Sequence, residues 1–406
     1  MKFWIESVNK KWMYTEKLLH HLIVKNGHKH VLDDDSIVIT SICDVTEIFA
    51  LEKIRKKFPH HTIISGGHFA KIGFKLMSLH CNYVWVGHAF DLFKQKKIAD
   101  IIDHPSIYVA GRNKVEVSYN IDWSLCPVIQ TDKKRFYVWG GVGCKNKCSF
   151  CLTSWTEPHK NRPGIDGVCA KAKRMIGGKG SVKVISNAYS TQLGDDLVQD
   201  MTLKDMLKIK QNEKRKMIRV GLEFATEKTR KKNSKPISDN ELRLAVTRAR
   251  ELNLDLQVFC IGGLDKRSDW ERLVDIIPAD DAMKPRVFFK WTNLEYQQKT
   301  PLFKNVQDIR PEKYLDKGFT DWFFRKACYK NKRIRVMPVK YPAHAVWRIC
   351  MSNVQDMDQY RACKKERNTR DMETIRELFN EIKPWSNDLS MVIAPPFDKA
   401  NLGVER

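Results

Sequence analysis

Three cysteines, Cys144, Cys148 and Cys151, fall within eight residues of one another in GGVGCKNKCSFCLTSW, residues 140–155. Thiolates are the soft ligands that iron–sulfur clusters and zinc require. A C-x3-C-x2-C loop is short enough to wrap three thiolates around one face of an iron–sulfur cube. One iron of the four then lacks a protein ligand, and a substrate or cofactor can coordinate it directly. Two other readings of these residues stay open here, a structural zinc completed by a distant fourth ligand and unrelated core thiols. Zinc sites usually pair two C-x2-C elements, and the chain has no second pair. Glycines at 140, 141 and 143 give the preceding turn the freedom to wrap a cluster.

The rest of the chain sets the context. At 406 residues it is long enough for two or three cores, and 42% hydrophobic with 30% charged residues is ordinary for a globular protein. Its eleven cysteines are an odd number in a large chain, which speaks against a disulfide framework. No apolar run reaches the ~18 residues of a membrane span, and MKFWIESVNKKW lacks the apolar core of a signal peptide, so a cytoplasmic location is expected. Seventy-two Lys and Arg against 48 Asp and Glu leave a net charge of +24. The excess collects at 132–136, 144–148, 208–219, 228–235 and 329–335, a field that attracts polyanions. A nucleic-acid partner and a merely solvated lysine-rich surface both account for it. FTDWFFRKACYKNKRIR, residues 319–335, interleaves aromatic and basic residues as a base-stacking surface would, or as core aromatics with solvated flanks would.

The elements that must position the cysteines read as α/β. KFWIESV, SIVITSI, HTIISGG and NYVWVGH are strand-like. Between and after them, TEKLLHHLIVKNG, VTEIFALEKIRKKF and AFDLFKQKKIADII are helical, which predicts a Rossmann-like parallel sheet over about residues 1–120. From 121 to 340 the alternation resumes with strands expected at 137–142, 183–188, 217–224, 255–262, 286–292 and 333–339. Six such units make a partial (β/α)6 barrel with the cysteine loop after its first strand. Barrel sites lie at the carboxyl ends of strands. SDNELRLAVTRARELN is the clearest helix, with Ser238 as its N-cap. Residues 341–406 read as mostly helical.

C-x3-C-x2-C with an aromatic, Phe150, before the last cysteine resembles the cluster motif of the radical S-adenosylmethionine (SAM) superfamily. The resemblance implies a [4Fe-4S] cluster whose fourth iron is chelated by SAM. An electron from a donor such as flavodoxin or ferredoxin would cleave SAM to methionine and a 5′-deoxyadenosyl radical that abstracts hydrogen from a substrate. RVGLEFATEKTRKKNSKPISDNELRLAVTRARELNLDLQVFCIGG is similar to the third-to-fifth-strand region of members with N-terminal cobalamin-type domains. There GxE ends a strand, KP follows about a dozen residues later, and an apolar strand ends in a Gly-containing turn. Carried over, Glu223 would be the catalytic-site carboxylate beside SAM, and Ile261, Gly262 and Gly263 would lie under the adenine. ISNAYSTQLGDD stands where the family has a GGE-like segment, which leaves Ser186 and Asn187 as the SAM contacts there.

ITSICDVTE, IISGGHFA and YVWVGHAFDLF resemble the cobalamin-binding domain of the same subgroup, with Ser41, Gly66 and Gly67 matching its S-x-L and G-G positions. Its D-x-H-x-x-G is replaced by NKKWMYTE, so no histidine is supplied as a lower ligand to cobalt. Cobalamin is thus one reading of this region and a scaffold the other, the bulk of Trp12 and Tyr14 favouring the scaffold. Cys43 and Cys260 read as core thiols, and Cys328 or Cys350 as hydrogen-atom donors without local support.

The resemblance supplies a radical SAM reaction, and the charge suggests nucleic acid or a nucleotide as substrate, DNA before RNA. The expectation is modification or rearrangement of a substituent on a DNA base, as in viral hypermodified DNA, with the base flipped or single-stranded. The alternatives are a cobalamin-dependent methyltransferase acting on RNA, peptide or a small molecule, and a non-catalytic iron–sulfur protein that binds nucleic acid.

Overall fold

The computed structural model describes residues 1–8, 13–111, 114–132, 135–175, 181–186, 198–209, 217–262, 264–277, 287–293, 300–303, 334–338, 356–358, 360–362 and 364. The first sheet is built from β1 (Lys2–Ile5), β2 (Lys29–His30), β3 (Ile37–Ser41), β4 (Ile63–Gly66), β5 (Tyr83–Trp85) and β6 (Ile107–Tyr108), in the order β2-β1-β3-β4-β5-β6. All its neighbours are parallel except β5 and β6.

Strand β3 shows why the sheet is covered on both sides. Ile37 and Ile39 face the core that holds Leu19, Leu22 and Ile23 of α1 (Met13–Lys25). Val38 faces the other core, with Ile48, Leu51 and Ile54 of α2 (Ile48–Lys57) and Leu76 and Met77 of α3 (Ala70–Met77). An alternating strand with apolar residues on both faces must be sandwiched between helices. The expected helix over 89–102 is instead two, α4 (Phe90–Lys94) and α5 (Ile98–Ile102), parted where Gln95 and Lys97 are extended. Helix α3 and the antiparallel edge strand β6 were not foreseen.

A second sheet joins β7 (Ile129–Asp132), β8 (Arg135–Val142) and, beyond α6 (Leu152–Thr156), β9 (Lys160–Asn161) to β10 (Ser181–Ser186), which α7 (Ile165–Met175) precedes. The third sheet is wholly parallel in the order β11-β12-β13-β14-β15. Its strands are β11 (Val198–Met201), β12 (Met217–Glu223), β13 (Asp255–Gly262), β14 (Val287–Asn293) and β15 (Ile334–Pro338). Helices α8 (Leu203–Leu207), α9 (Glu227–Lys232), α10 (Asp239–Glu251) and α11 (Arg267–Ile276) connect them. The six expected barrel strands are thus present, divided between two sheets, and β7, β9 and β11 are additional.

Ser238 caps α10 as its sequence suggested. Its hydroxyl accepts from the Glu241 amide at 3.0 Å, while the Glu241 carboxylate accepts from the Ser238 amide at 2.8 Å. Leu242, Ala245, Val246 and Ala249 then recur on one face and are buried against β12 and β13. A short helical segment near residue 360 returns to the first sheet, where buried Tyr360 donates to Glu52 of α2 at 2.7 Å. Most of the expected helical region 341–406 lies outside the described residues.

Candidate active site

Parallel strands put all their carboxyl ends on one side, and the cysteine loop leaves β8 at that side. Register aligns the strand ends: Ser186 of β10 pairs with Gly141 of β8, Glu223 of β12 with Cys260 of β13, and Gly262 with Asn293 of β14. Ser186, Glu223, Ile261 and Gly262 therefore all stand at carboxyl ends, as expected. Asn187 and Gly263 lie outside the described residues.

The loop is fastened at many points. The Ser149 amide donates to the Asn233 carbonyl at 3.3 Å and its hydroxyl to Asn233 Oδ1 at 2.5 Å. Trp155 Nε1 donates to the Cys148 carbonyl at 2.8 Å, and Lys147 Nζ, over the Trp155 ring, to the Ser154 carbonyl at 2.9 Å. Phe150 meets Phe224 edge to face, 5.2 Å between centroids, which ties the loop to the end of β12. Cys148 is buried and Cys144 and Cys151 half-buried. Burial pushes the Cys148 thiol up to about 11; Lys235 opposes that rise, while Cys151, Glu223 and Cys144 add to it. The other two thiols, Glu223 and Lys235 thus all lie close enough to act on Cys148.

Glu223 carries the clearest sign of a constrained site. It is a non-glycine residue at φ 73°, next to a register shift between β12 and β13. The left-handed region costs such a residue roughly 1–2 kcal/mol, and strain of this kind collects at functional positions. Its side chain is nearly buried, and Lys235 Nζ, from the KP pair twelve residues on, donates to Oε1 at 3.1 Å. Fully buried Arg230 holds the segment after Glu223 in place: it donates to the carbonyls of Phe224, Ala225 and Ile237 and pairs with Asp239. Asp265 accepts from the Ala225 amide at 2.6 Å and from the hydroxyls of Thr226 and Thr229.

Among the described residues no three His, Cys, Asp or Glu side chains converge on a point that one metal ion could fill. Around a single zinc the thiolates would stand under ~4 Å apart. Thiols distributed along a loop suit a polynuclear centre, in which separate irons each take one thiolate. The donor set, the buried Cys148 and the adjoining Glu223–Lys235 pair fit a cluster with a charged cofactor beside it.

No family model matches the sequence, and neither does any curated protein. Solved structures do match the fold. TsrM from Kitasatospora setae, a radical S-adenosylmethionine methyltransferase solved with its tryptophan substrate and aza-SAM, gives a TM-score of 0.55. Identity is 11%, over 74% of this chain and 75% of that one. TsrM solved with cobalamin and a [4Fe-4S] cluster gives 0.53 at 9% identity, over 74% of each chain. The chain shares the fold of these TsrM structures.

Within this fold the first sheet has its own carboxyl edge, the place where an open α/β sheet takes ligands. Ser41 pairs in register with Gly66, and Gly67 follows at φ 102°. A Cβ on Gly67 would stand 2.5 Å from the Ile42 carbonyl oxygen and 2.6 Å from Ser41 Oγ. The three residues singled out from the sequence are thus together, packed against one another. Two solvent-inaccessible hydroxyls without a partner, Thr40 and Ser65, lie one residue back on the opposite face of the sheet. Past the edge, Lys71 and Glu157 form an ion pair with both side chains about 3% exposed, and His88 Nε2 is 3.9 Å from Glu157 Oε1. His88 also meets Trp139 of β8, which stacks on Phe90. A corrin laid on this edge would have to displace these side chains, so the residues present do not fit cobalamin as they are packed.

No local pattern in the sequence marks Lys71, His88, Glu157, Arg230 or Asp265. Lys235 was visible only as part of the KP pair. Cys260 is fully buried in the third sheet's core as expected, whereas Cys43 is half-buried; Cys328 and Cys350 lie outside the described residues.

Proposed function

We propose that this chain is a radical SAM enzyme whose cluster is held by Cys144, Cys148 and Cys151. The observation that carries the reading is the convergence of the three-cysteine loop, strained Glu223 and Lys235 at the carboxyl ends of β8 and β12. A cluster held by these three cysteines would supply the electron needed for reductive opening of SAM. The chain's own residues do the rest. Glu223, held by Lys235, presents a fixed carboxylate beside the loop, and Ile261 and Gly262 offer backbone at the end of β13. Phe150 packs edge to face on buried Phe224 at the base of the loop.

For the substrate we infer nucleic acid, with a substituent on a DNA base as the point of attack. The net charge of +24 supports this, since a polyanion is the partner such a field draws in. Methyl transfer to a smaller substrate is the second reading, favoured by the likeness to TsrM, which carries cobalamin in one of its structures. The test is anaerobic reconstitution and reduction with SAM, followed by assay of 5′-deoxyadenosine and mass spectrometry of nucleosides from exposed DNA and RNA. 5′-Deoxyadenosine together with a new DNA nucleoside is the expected result. Absence of SAM cleavage by a fully loaded cluster would favour a non-catalytic iron–sulfur protein.

A further inference from the structure

We propose that the carboxyl edge of the first sheet receives Glu157 of the chain itself in place of cobalamin, and that Glu157 is the positioning residue which sets the start of the cysteine loop.

The geometry runs in two directions from one carboxylate. Oε1 pairs with Lys71, in the first turn of α3 just after β4, and lies near His88 just after β5. Oε2 accepts from the Gly143 amide at 3.2 Å, one residue before Cys144. Gly143 is at φ 63°, and a Cβ there would stand 2.3 Å from the Pro158 carbonyl oxygen. Only glycine fits that position, so the loop's first turn is pressed onto the segment that bears Glu157. Lys71 and Glu157 are separated by 86 residues and are both dry. A buried ion pair adds little net stability compared with apolar packing, and its retention is better explained by the fixed direction it gives the carboxylate. Burial keeps His88 neutral, its pKa pushed down to about 3, with Lys71 lowering it further. Among the described residues Lys71 is thus a cation paired with the Glu157 carboxylate, with neutral His88 beside it.

The inference rests on the proposed reading of the loop only for its catalytic consequence, and two arms of the test do not depend on that reading. In the parent chain without cluster, hydrogen–deuterium exchange should show Gly143 and its flanks as protected as β8. Exchange at the rate of an exposed loop overturns the proposal. The parent mixed with excess hydroxocobalamin and then desalted should show no corrin absorption, and stoichiometric retention overturns it. The third arm compares Lys71→Met/Glu157→Leu with Lys71→Met/Glu157→Gln. Both replace the ion pair with neutral groups, but only the glutamine still offers Gly143 an acceptor. The leucine variant should exchange around Gly143 about five-fold faster and lose most 5′-deoxyadenosine yield, while the glutamine variant recovers both. Equal exchange in the two variants overturns the positioning role. A parent with no SAM cleavage at all removes the proposed function and leaves the exchange and corrin results to decide this one.

Discussion

Two carboxyl edges face the same problem in this molecule, and each is filled differently. The edge of the first sheet is closed by uncharged packing and one dry ion pair, with Gly67 seated against Ser41 and Glu157 against Lys71. The edge shared by β8, β12 and β13 instead gathers thiols, a strained glutamate and a lysine. Closure maximises packing, whereas strain and charge in one place are what a reacting site retains at some cost in stability. The difference teaches that one α/β pattern can end in a closed, packed edge in one sheet and in a strained, charged edge in another.

The most severe way to break this contrast is to remove the loop's thiols. Cys144→Ala, Cys148→Ala and Cys151→Ala should each abolish a cluster of about four irons and all SAM cleavage. The melting temperature of the protein without cluster should move by no more than about 3 °C, because the ligands are on a loop and the cores are elsewhere. Full iron content with SAM cleavage in any of the three would remove that cysteine from the site.

Glu223→Gln is the next step down. It keeps the shape and the hydrogen-bond acceptor but removes the charge that Lys235 faces. 5′-Deoxyadenosine formation should fall at least about ten-fold, a loss of roughly 1.4 kcal/mol of transition-state stabilisation, with iron content unchanged. Cluster loss in this variant would make Glu223 a structural residue, and parent turnover would take it out of the site.

These two edges were not equally legible in the sequence. Ile37–Ser41 begins as a short unbroken run of β-branched residues, so a strand buried on both faces follows from composition. The cysteines and Glu223 were legible because their spacing is local. Glu157 and Lys71 were not, since a pair 86 residues apart leaves no local pattern. The helix at 70–77 was missed because AKIGFKLM carries a glycine, and Gly73 is indeed off helical geometry at φ −108°. The segment 89–102 read as one helix because its apolar spacing continues across the extended break at Gln95–Lys97.

Acid should separate the regions in the opposite sense. Burial pushes His68 and His80 down to about 4 and His88 to about 3, and all three belong to the first sheet's surroundings. Their folded pKa values lie below the unfolded value near 6.5, so the unfolded state binds more protons in between. Stability is complete above about pH 6.5 and falls as pH drops toward 4, by about 1 kcal/mol per unit for each histidine. The described barrel residues include no buried histidine. Hydrogen exchange followed from pH 7 to 5 should therefore show β1–β5 opening before β12–β14, and the reverse order would refute the assignment.

The smallest effect concerns the charge. Lys231 and Lys232 are exposed on α9, just past Glu223, without a carboxylate partner among the described residues. Lys56 and Lys57 on α2 are exposed too, but Glu52 and Glu6 stand 3.0 and 2.8 Å from them. A polyanion held at the barrel edge would contact the first pair and not the second. Binding to single-stranded DNA should weaken steeply with salt, because each phosphate contact releases condensed counterions. Replacing Lys231 and Lys232 with Gln should lower the slope of log affinity against log salt by about two, and replacing Lys56 and Lys57 should leave it unchanged. Equal slopes in both variants would place the DNA elsewhere on the surface. A flat salt response in the parent would set nucleic acid aside and favour the smaller substrate of the methyl-transfer reading.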